Sequence, residues 1–238
     1  MSRSDRMARQ TNRRRTRRAP LSRDRVLLAA MALADEGGID ALSMRKLAQE
    51  LGVEAMSLYN HVANKDDIID GIVDLVASEI DPPPDGVDWQ TAMRRSAISA
   101  HEVLMRHRWA GPLWMSSRKV SPARLRYGDA ILRALREGGF SKDVTYHAFH
   151  ALQSHVLGFT LYLLNFRFDT ADIEAMAAGF LRDFPADEYP YLAEHVEQHM
   201  EPSDERQGTF EFGLDLVLDS LARLRGEGEA SAAHSRSR

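Results

Sequence analysis

Apolar residues recur along most of the chain at the three- and four-residue spacing of an amphipathic helix, and no segment alternates as a strand does. A first helix is predicted after Ser22, a favourable N-cap, and a Gly-Gly pair ends it. A second helix, capped by Ser43, and a third over residues 54–61 should be joined by a turn at Gly52. The pattern predicts an all-α protein.

Polar caps followed by apolar periodicity mark further helix starts at Asn64, Asp88, Ser121 and Ser141. The helix after Ser141 should be the longest and cover 141–165, and a strongly amphipathic helix is predicted over 209–225. Residues 170–200 are predicted to form one or two weaker helices broken by prolines. The DPPPDG run at 81–86 cannot continue a helix and indicates a break between two parts of the chain.

The composition of the two chain ends predicts that both are disordered. Both ends are polar or basic and lack apolar periodicity, which is typical of disorder. We expect a disordered basic arm at 1–20, a three-helix head at 21–66, a larger helical body at 67–225 and a disordered tail at 226–238.

Charge is unevenly distributed, although the net charge is only −4. Residues 1–65 contain 13 Lys and Arg against 7 Asp and Glu, whereas residues 66–225 contain 16 against 26. A basic front end on an acidic body favours a nucleic-acid contact confined to the front. The alternative is that the arginines serve only solubility.

Several classes of protein are excluded. The chain has no cysteine, which rules out disulfides, thiol catalysis and cysteine-ligated zinc. It has no apolar run long enough to span a membrane, and its arginine-rich start lacks the apolar stretch of a secretory signal. It also lacks a phosphate loop, a dinucleotide fingerprint and a nucleophile elbow. We expect a bacterial-type cytoplasmic protein with no cofactor and no membrane partner.

Residues 43–62 have the helix, glycine turn and helix of a helix-turn-helix. In that motif the second helix, braced by the first, lies in a major groove and presents its exposed face to base edges. Leu58 and Val62 should face inward, which leaves Tyr59, Asn60 and His61 near the exposed side. The alternative is that Tyr59 and His61 pack the small core.

The stretch ALSMRKLAQELGVEAMSLYNHVANKDDIIDGI resembles the DNA-binding motif of the tetracycline repressor family through its RKLA, LGV and LYNHVANK elements. GGFS before a long apolar helix, and FEFGLDLVLDSL near the end, resemble the tetracycline-repressor-like C-terminal branch. The likeness is dense over 22–80 and continues more loosely to about 225. It implies a ligand-responsive, DNA-binding transcriptional regulator, most simply a homodimeric repressor that an effector releases from a palindromic operator.

Carried over residue by residue, the resemblance implies a set of DNA contacts. Arg45 is the candidate for a bidentate guanine contact, which gives about 1–3 kcal/mol of discrimination. The residues expected to contact the bases or the DNA backbone are Ser43, Met44, Arg45, Ala55, Met56, Ser57, Tyr59, Asn60, His61 and Lys65.

The sequence also departs from the family pattern in this motif. Ala55 stands where the tetracycline repressor has a base-contacting glutamine, Met56 replaces a proline, and Asn60 replaces a common aromatic residue. The docking mode can therefore be carried over, but the operator sequence cannot. The basic arm is expected either to enter an adjacent minor groove or to clamp phosphates without specificity.

The body should dimerise and bind a ligand. Helices 141–165 and 209–225 carry more apolar residues than one core face needs, so they are expected to form a four-helix bundle with a symmetry mate, unless they are simply the central core. Large adaptable side chains with a few polar groups suit an effector pocket, or an ordinary core. The candidate pocket residues are His101, Met105, Trp109, Leu113, Trp114, Ser117, Phe149 and Gln153.

The effector is not expected to be tetracycline. The tetracycline repressor's magnesium-binding histidine corresponds to Trp114, its amide contact to Ser96, and a further histidine falls near Asp81. These residues do not preserve the chemistry of a chelated drug, so a more apolar aromatic or polycyclic compound is expected.

Two alternatives to a de-repressible repressor remain. One is an activator or a ligand-independent DNA-binding protein. The other, more remote, is a metal-dependent helical enzyme, because His195 and His199 have a spacing that can bind zinc. That pair lacks the glutamate directly after the first histidine that metalloproteases use as a base.

Overall fold

The computed structural model describes residues 20–116, 121–165, 179, 184–198 and 208–236, and within them it contains helices and no strand. The all-α prediction is confirmed. In chain order the helices are α1 (Arg23–Gly37), α2 (Met44–Leu51), α3 (Ala55–Leu58), α4 (Lys65–Ser78), α5 (Trp89–Arg106), α6 (Ala110–Ser116), α7 (Pro122–Glu137), α8 (Lys142–Asn165), α9 (Pro190–Gln198) and α10 (Gly208–Arg236). A 3₁₀ turn, Ile39–Ala41, follows α1. No helix in the described ranges is long and apolar enough to cross a membrane.

Helices α1, α2 and α3 form a head around a small apolar core. Ser22 and Ser43 cap α1 and α2 as predicted, each hydroxyl accepting a backbone N–H from three residues further on. Leu47 of α2 and Leu58 of α3 are completely buried between these helices. Because both leucines lie on inward faces, the opposite faces of α2 and α3 stay exposed.

Helix α4 follows the head and packs closely against α1. Its predicted cap is confirmed, since the Asn64 side chain accepts the Asp67 N–H at 2.8 Å. Gly71 permits the close approach to α1, because a Cβ at this position would lie 2.6 Å from a methyl carbon of Leu27. A larger residue at 71 would push the two helices apart.

Helix α4 also packs against α7 in the body. The Asp74 carboxylate of α4 accepts the hydroxyl of Ser121 and, at 2.8 Å, the backbone N–H of Ala123. A carboxylate is favourable at this position because the first N–H groups of α7 have no partner within their own helix. Asp74 therefore gives α7 a second cap that comes from α4.

Helices α5, α8 and α10 pack against one another to form the centre of the body. At one end of this group, Trp89 at the start of α5 meets Phe140, which precedes α8, edge to face with 4.7 Å between ring centroids. At the rim, Arg94 of α5 forms ion pairs with Glu211 and, at 2.9 Å, with Asp215 of α10. These ties set the register between α5 and α10.

The chain end differs from the prediction of a disordered tail at 226–238, because α10 continues to Arg236. The residues after 225 include two glycines but no proline, and one glycine inside a helix costs only about 1 kcal/mol. Polar composition alone was therefore a poor reason to end the helix. The predicted arm, apart from Pro20, lies outside the described residues. Of the region 170–200, predicted to form one or two weaker helices, residues 179 and 184–198 are described, and they include α9.

Candidate functional site

The recognition segment of the head is shorter than a full helix. The sequence predicted a helix over 54–61, but α3 ends at Leu58 and residues 59–61 form a turn. The N–H of His61 bonds to the Leu58 carbonyl at 2.9 Å, a three-residue closure that tightens the chain. Buried Val62 then returns to the core. Tyr59, Asn60 and His61 thus project from a turn and not from a helix face.

The predicted base-facing residues differ in exposure. Met56 is 74% exposed, more than any other large apolar side chain described in the head. Ser57 is half-buried, and Ala55 packs against the head core together with Met44 of α2. Met56 is therefore the most prominent apolar group that α3 can offer to a groove.

The remaining predicted contacts surround this segment. Arg45 is exposed in the first turn of α2, and Lys65 is exposed at the start of α4, where the helix dipole also favours a phosphate. Tyr59 is 46% exposed, whereas His61 is half-buried. The Ser43 hydroxyl is occupied by its capping bond. Exposed cationic groups thus occur on α2, which precedes α3, and on α4, which follows it.

An ion pair that the sequence did not predict fixes the turn. Arg23 of α1 donates to both carboxylate oxygens of Asp67, at 2.7 and 2.9 Å, and to the carbonyl of His61 at 3.4 Å. Asp67 also accepts the N–H of Ala63 at 3.0 Å. The hydrogen bonds to Asp67 raise the pKa of Arg23 above its ordinary value. These contacts hold the chain where the turn ends, and no local spacing in the sequence indicates the partner of Arg23.

His101 lies in an aromatic cluster between α5, α8 and α10. Its ring stacks on Phe210 with 4.0 Å between centroids, and its Nδ1 lies 2.8 Å from the hydroxyl of Thr160. The Thr160 hydroxyl donates to the Val156 carbonyl, so Nδ1 of His101 carries the proton that bonds to Thr160. Burial, and then the nearby His155, lower the pKa of His101. A neutral ring leaves Nε2 as a hydrogen-bond acceptor.

The two tryptophans predicted for the pocket have different surroundings. Trp114 is buried edge to face against Tyr127, with the guanidinium of Arg124 5.1 Å from its ring centroid. Burial raises the pKa of Tyr127 to about 12, so its hydroxyl stays protonated. Trp109 instead donates its indole N–H to Asp35 of the head at 2.6 Å. Trp109 therefore contacts the junction of head and body.

The other predicted pocket residues differ in how they contact the core. Met105, Leu113, Phe149 and Gln153 are all partly buried, and Leu113 and Phe149 pack against the core. Ser117 lies outside the described residues.

The histidine pair that suggested a metal site is only half described, because His199 falls outside the described ranges. Elsewhere in the described part of the chain, no three His, Asp or Glu side chains form a group that could hold a metal ion.

The exposed α3 segment, braced by α2 and followed by a helical body, defines a helix-turn-helix DNA-binding protein. The family model described as bacterial regulatory proteins, tetR family, matches residues 26–72, and the tetracyclin repressor-like C-terminal domain matches 82–225. The chain belongs to the TetR family of transcriptional regulators, as its sequence resemblance predicted. Members of this family are regulators and not enzymes, which removes the enzyme alternative.

Individual relatives agree with this assignment. An HTH-type transcriptional regulator of Saccharopolyspora erythraea is 31% identical over 210 residues, covering 87% of this chain and 86% of the relative. Tetracycline repressor protein class D of Escherichia coli is 33% identical over 205 residues, covering 84% and 88%. The crystal structure of Streptomyces coelicolor ActR in complex with actinorhodin has a TM-score of 0.72 and 28% identity, covering 87% of this chain and all of that one.

Proposed function

We propose that this regulator is a homodimeric repressor that binds a palindromic operator and is released by a small, largely apolar effector. The observation that carries the proposal is the exposed segment around Met56 and Tyr59, flanked by Arg45 and Lys65. Apolar, hydrogen-bonding and cationic groups on one projecting surface suit base edges and phosphates together. A location in the cytoplasm, where its DNA lies, is part of the proposal.

The surfaces of α8 and α10 support dimerisation through these two helices. On α10, Phe212 is 67% exposed and Leu216 is 55% exposed, one helical turn apart. On α8, Tyr146 and Tyr162 are also exposed, and small exposed residues, including Gly158, lie between them. Exposed apolar groups concentrated on two adjacent long helices are typical of an interface. A second copy related by a twofold axis would cover both helices in a four-helix bundle.

The interior of the body supports an effector site. His101 offers an acceptor nitrogen beside an aromatic wall, and buried Trp114 adds a further aromatic surface. Few polar groups within apolar walls suit a small ligand. The ActR complex with actinorhodin provides a precedent in a relative whose whole chain aligns with 87% of this one. Ligand binding would favour a spacing of the two heads that no longer fits successive major grooves.

Selection from a random duplex pool with the purified full chain tests the proposal. The expected result is a palindrome whose half-sites lie about one helical turn or more apart, bound by two copies of the chain. Recovery of unrelated sequences with equal, salt-sensitive affinity would contradict it. Actinorhodin and minocycline, a tetracycline, are then titrated against the bound duplex, and we expect actinorhodin to release it at lower concentration. An operator that no effector releases would favour the ligand-independent alternative.

A further inference from the structure

Four helix ends meet at one corner between head and body. Asp35 lies near the end of α1, Glu79 directly follows α4, and Arg106 and His107 end α5. Trp109 precedes α6 by one residue. This corner therefore joins a residue of the head to the chain segments that lead into the body.

Asp35 is the acceptor at the centre of this corner. Its Oδ1 accepts from Nδ1 of His107 at 2.8 Å and from the indole N–H of Trp109 at 2.6 Å. His107 is only 6% exposed, and its Nε2 faces Glu79 at 3.2 Å. Because both ring nitrogens face carboxylate oxygens, the ring needs both protons to donate to both.

Glu79 completes the charge balance on the other side of His107. Arg106 donates to its carboxylate at 2.8 Å. Burial acts to raise the pKa of Glu79, but the hydrogen bonds from Arg106 and His107 outweigh it and lower the pKa below its ordinary value. The two carboxylates thus face the two ring nitrogens of His107, and Glu79 also faces the guanidinium of Arg106.

The direction of these bonds gives the corner a role that apolar contacts cannot supply. The contact of Leu27 with Gly71 between α1 and α4 is apolar and tolerates small rotations, since burial has no preferred direction. The Arg23–Asp67 ion pair directs the start of α1 toward α4, whereas Asp35 lies at the opposite end of α1. Charge-assisted hydrogen bonds fix distance and angle together. The bonds from Asp35 to His107 and Trp109 therefore define one orientation of α1, and of the recognition segment that it braces, relative to the body.

We propose that Asp35 is a positioning residue that locks the head onto the body and thereby sets the half-site spacing that the regulator accepts. The proposal rests on the proposed function, because spacing has a meaning only for a dimer on a palindrome. A locked head holds each recognition segment at one distance from its partner. A free head accommodates several spacings but binds the best one less tightly, because its orientation must be fixed on binding.

The test measures affinity for the selected operator and for duplexes whose half-sites are moved closer or further apart by one and two base pairs. Wild type, Asp35→Ala, Asp35→Asn, Trp109→Phe and Glu36→Gln are compared as full chains. Glu36 is the adjacent, exposed carboxylate, so its variant controls for the charge. Asn at 35 keeps an oxygen that can accept both bonds, and Phe at 109 removes only the N–H donor while keeping an aromatic ring.

Asp35→Ala is expected to bind the preferred spacing about tenfold more weakly and to keep its affinity for the other spacings, so that discrimination falls by about the same factor. Trp109→Phe should lose part of the discrimination, whereas Asp35→Asn and Glu36→Gln should retain it. Thermal unfolding verifies that each variant is folded, and Trp109→Phe carries the test if Asp35→Ala is not.

Three results would overturn the proposal. Equal weakening at every spacing, or full discrimination in the folded Asp35→Ala and Trp109→Phe variants, would show that the corner serves stability alone. A wild type without any spacing preference would overturn the palindromic dimer together with the role of Asp35. The wild-type result therefore separates failure of the proposed function from failure of this inference.

Discussion

Arg23 and Asp67 lie 44 positions apart in the sequence, and their side chains form a two-pronged ion pair with distances of 2.7 and 2.9 Å. The pair joins the first turn of α1 to the first turn of α4. The pair also bonds to the backbone between these turns, since Arg23 donates to the carbonyl of His61 and Asp67 accepts the N–H of Ala63. The conformation of the recognition turn therefore depends on two residues that are not assigned to the DNA contact.

Removal of this pair should weaken operator binding without a direct loss of DNA contacts. Asp67→Ala is expected to lower the free energy of unfolding by about 1 kcal/mol, since the pair is partly exposed. Operator affinity should fall about fivefold because the ordered turn is less populated. Asp66→Ala is the matched control, since it removes a neighbouring exposed carboxylate and keeps the turn. Equal affinities of the two variants, measured by fluorescence anisotropy, would refute the positioning role.

If the dimer forms through α8 and α10, a charged residue introduced on the exposed face of α10 should weaken it. Leu216→Glu should weaken the dimer by ~100-fold or more, because the twofold axis places two unpaired carboxylates in one interface. Leu125 on α7 is 59% exposed, comparable to the 55% of Leu216, so Leu125→Glu is a matched control. Sedimentation should show a monomer only for Leu216→Glu. A dimer that persists in that variant would place the interface elsewhere.

Two buried threonines predict opposite effects of the same substitution. The Oγ of Thr145 has no hydrogen-bond partner among the described residues, whereas that of Thr160 bonds to Val156 and His101. Thr145→Val should raise the free energy of unfolding by about 1 kcal/mol, and Thr160→Val should lower it by about 1–3 kcal/mol. Urea unfolding measures both. A loss of stability in Thr145→Val would indicate that its hydroxyl has a partner after all.

The lowered pKa of His101 predicts a loss of stability in mild acid. The folded protein keeps the ring neutral, while the unfolded chain takes up a proton near the ordinary value of 6.5. Stability is therefore complete above that pH and falls as the pH decreases below it. Between pH 7.5 and 5.5 the wild type should lose up to about 1 kcal/mol more than His101→Gln, since the ring is only half-buried. Identical pH profiles in urea unfolding would exclude this contribution.

Local signals in the sequence located most helices of the body. Asp88, Ser121 and Ser141 start α5, α7 and α8 as predicted, because a cap acts on N–H groups only two or three residues away. The predicted end of α3 was wrong because that end does not depend on a local signal. The closure at His61 depends on Val62 reaching a core built by other helices, and no local spacing encodes that demand.

Side-chain partners distant in sequence could not be predicted. Trp109 belonged to an apolar run and was assigned to the pocket, yet its N–H bonds to Asp35 across 74 positions. His107 was not singled out at all, although it is the most enclosed polar group at the head–body corner. Such pairs are determined by how helices meet in space. A single sequence indicates which faces are apolar, but not which helix covers each face.

The most direct test of the central claim is to measure Arg45→Ala and Lys46→Ala on the selected operator and on its single-base-pair variants. Both residues are exposed on α2 and carry one positive charge. Arg45→Ala should lose its preference at one G·C pair in each half-site, by about 1–3 kcal/mol. Lys46→Ala should weaken all sequences equally. If Arg45→Ala keeps every base preference of the wild type, the recognition surface assigned to α2 and α3 is wrong.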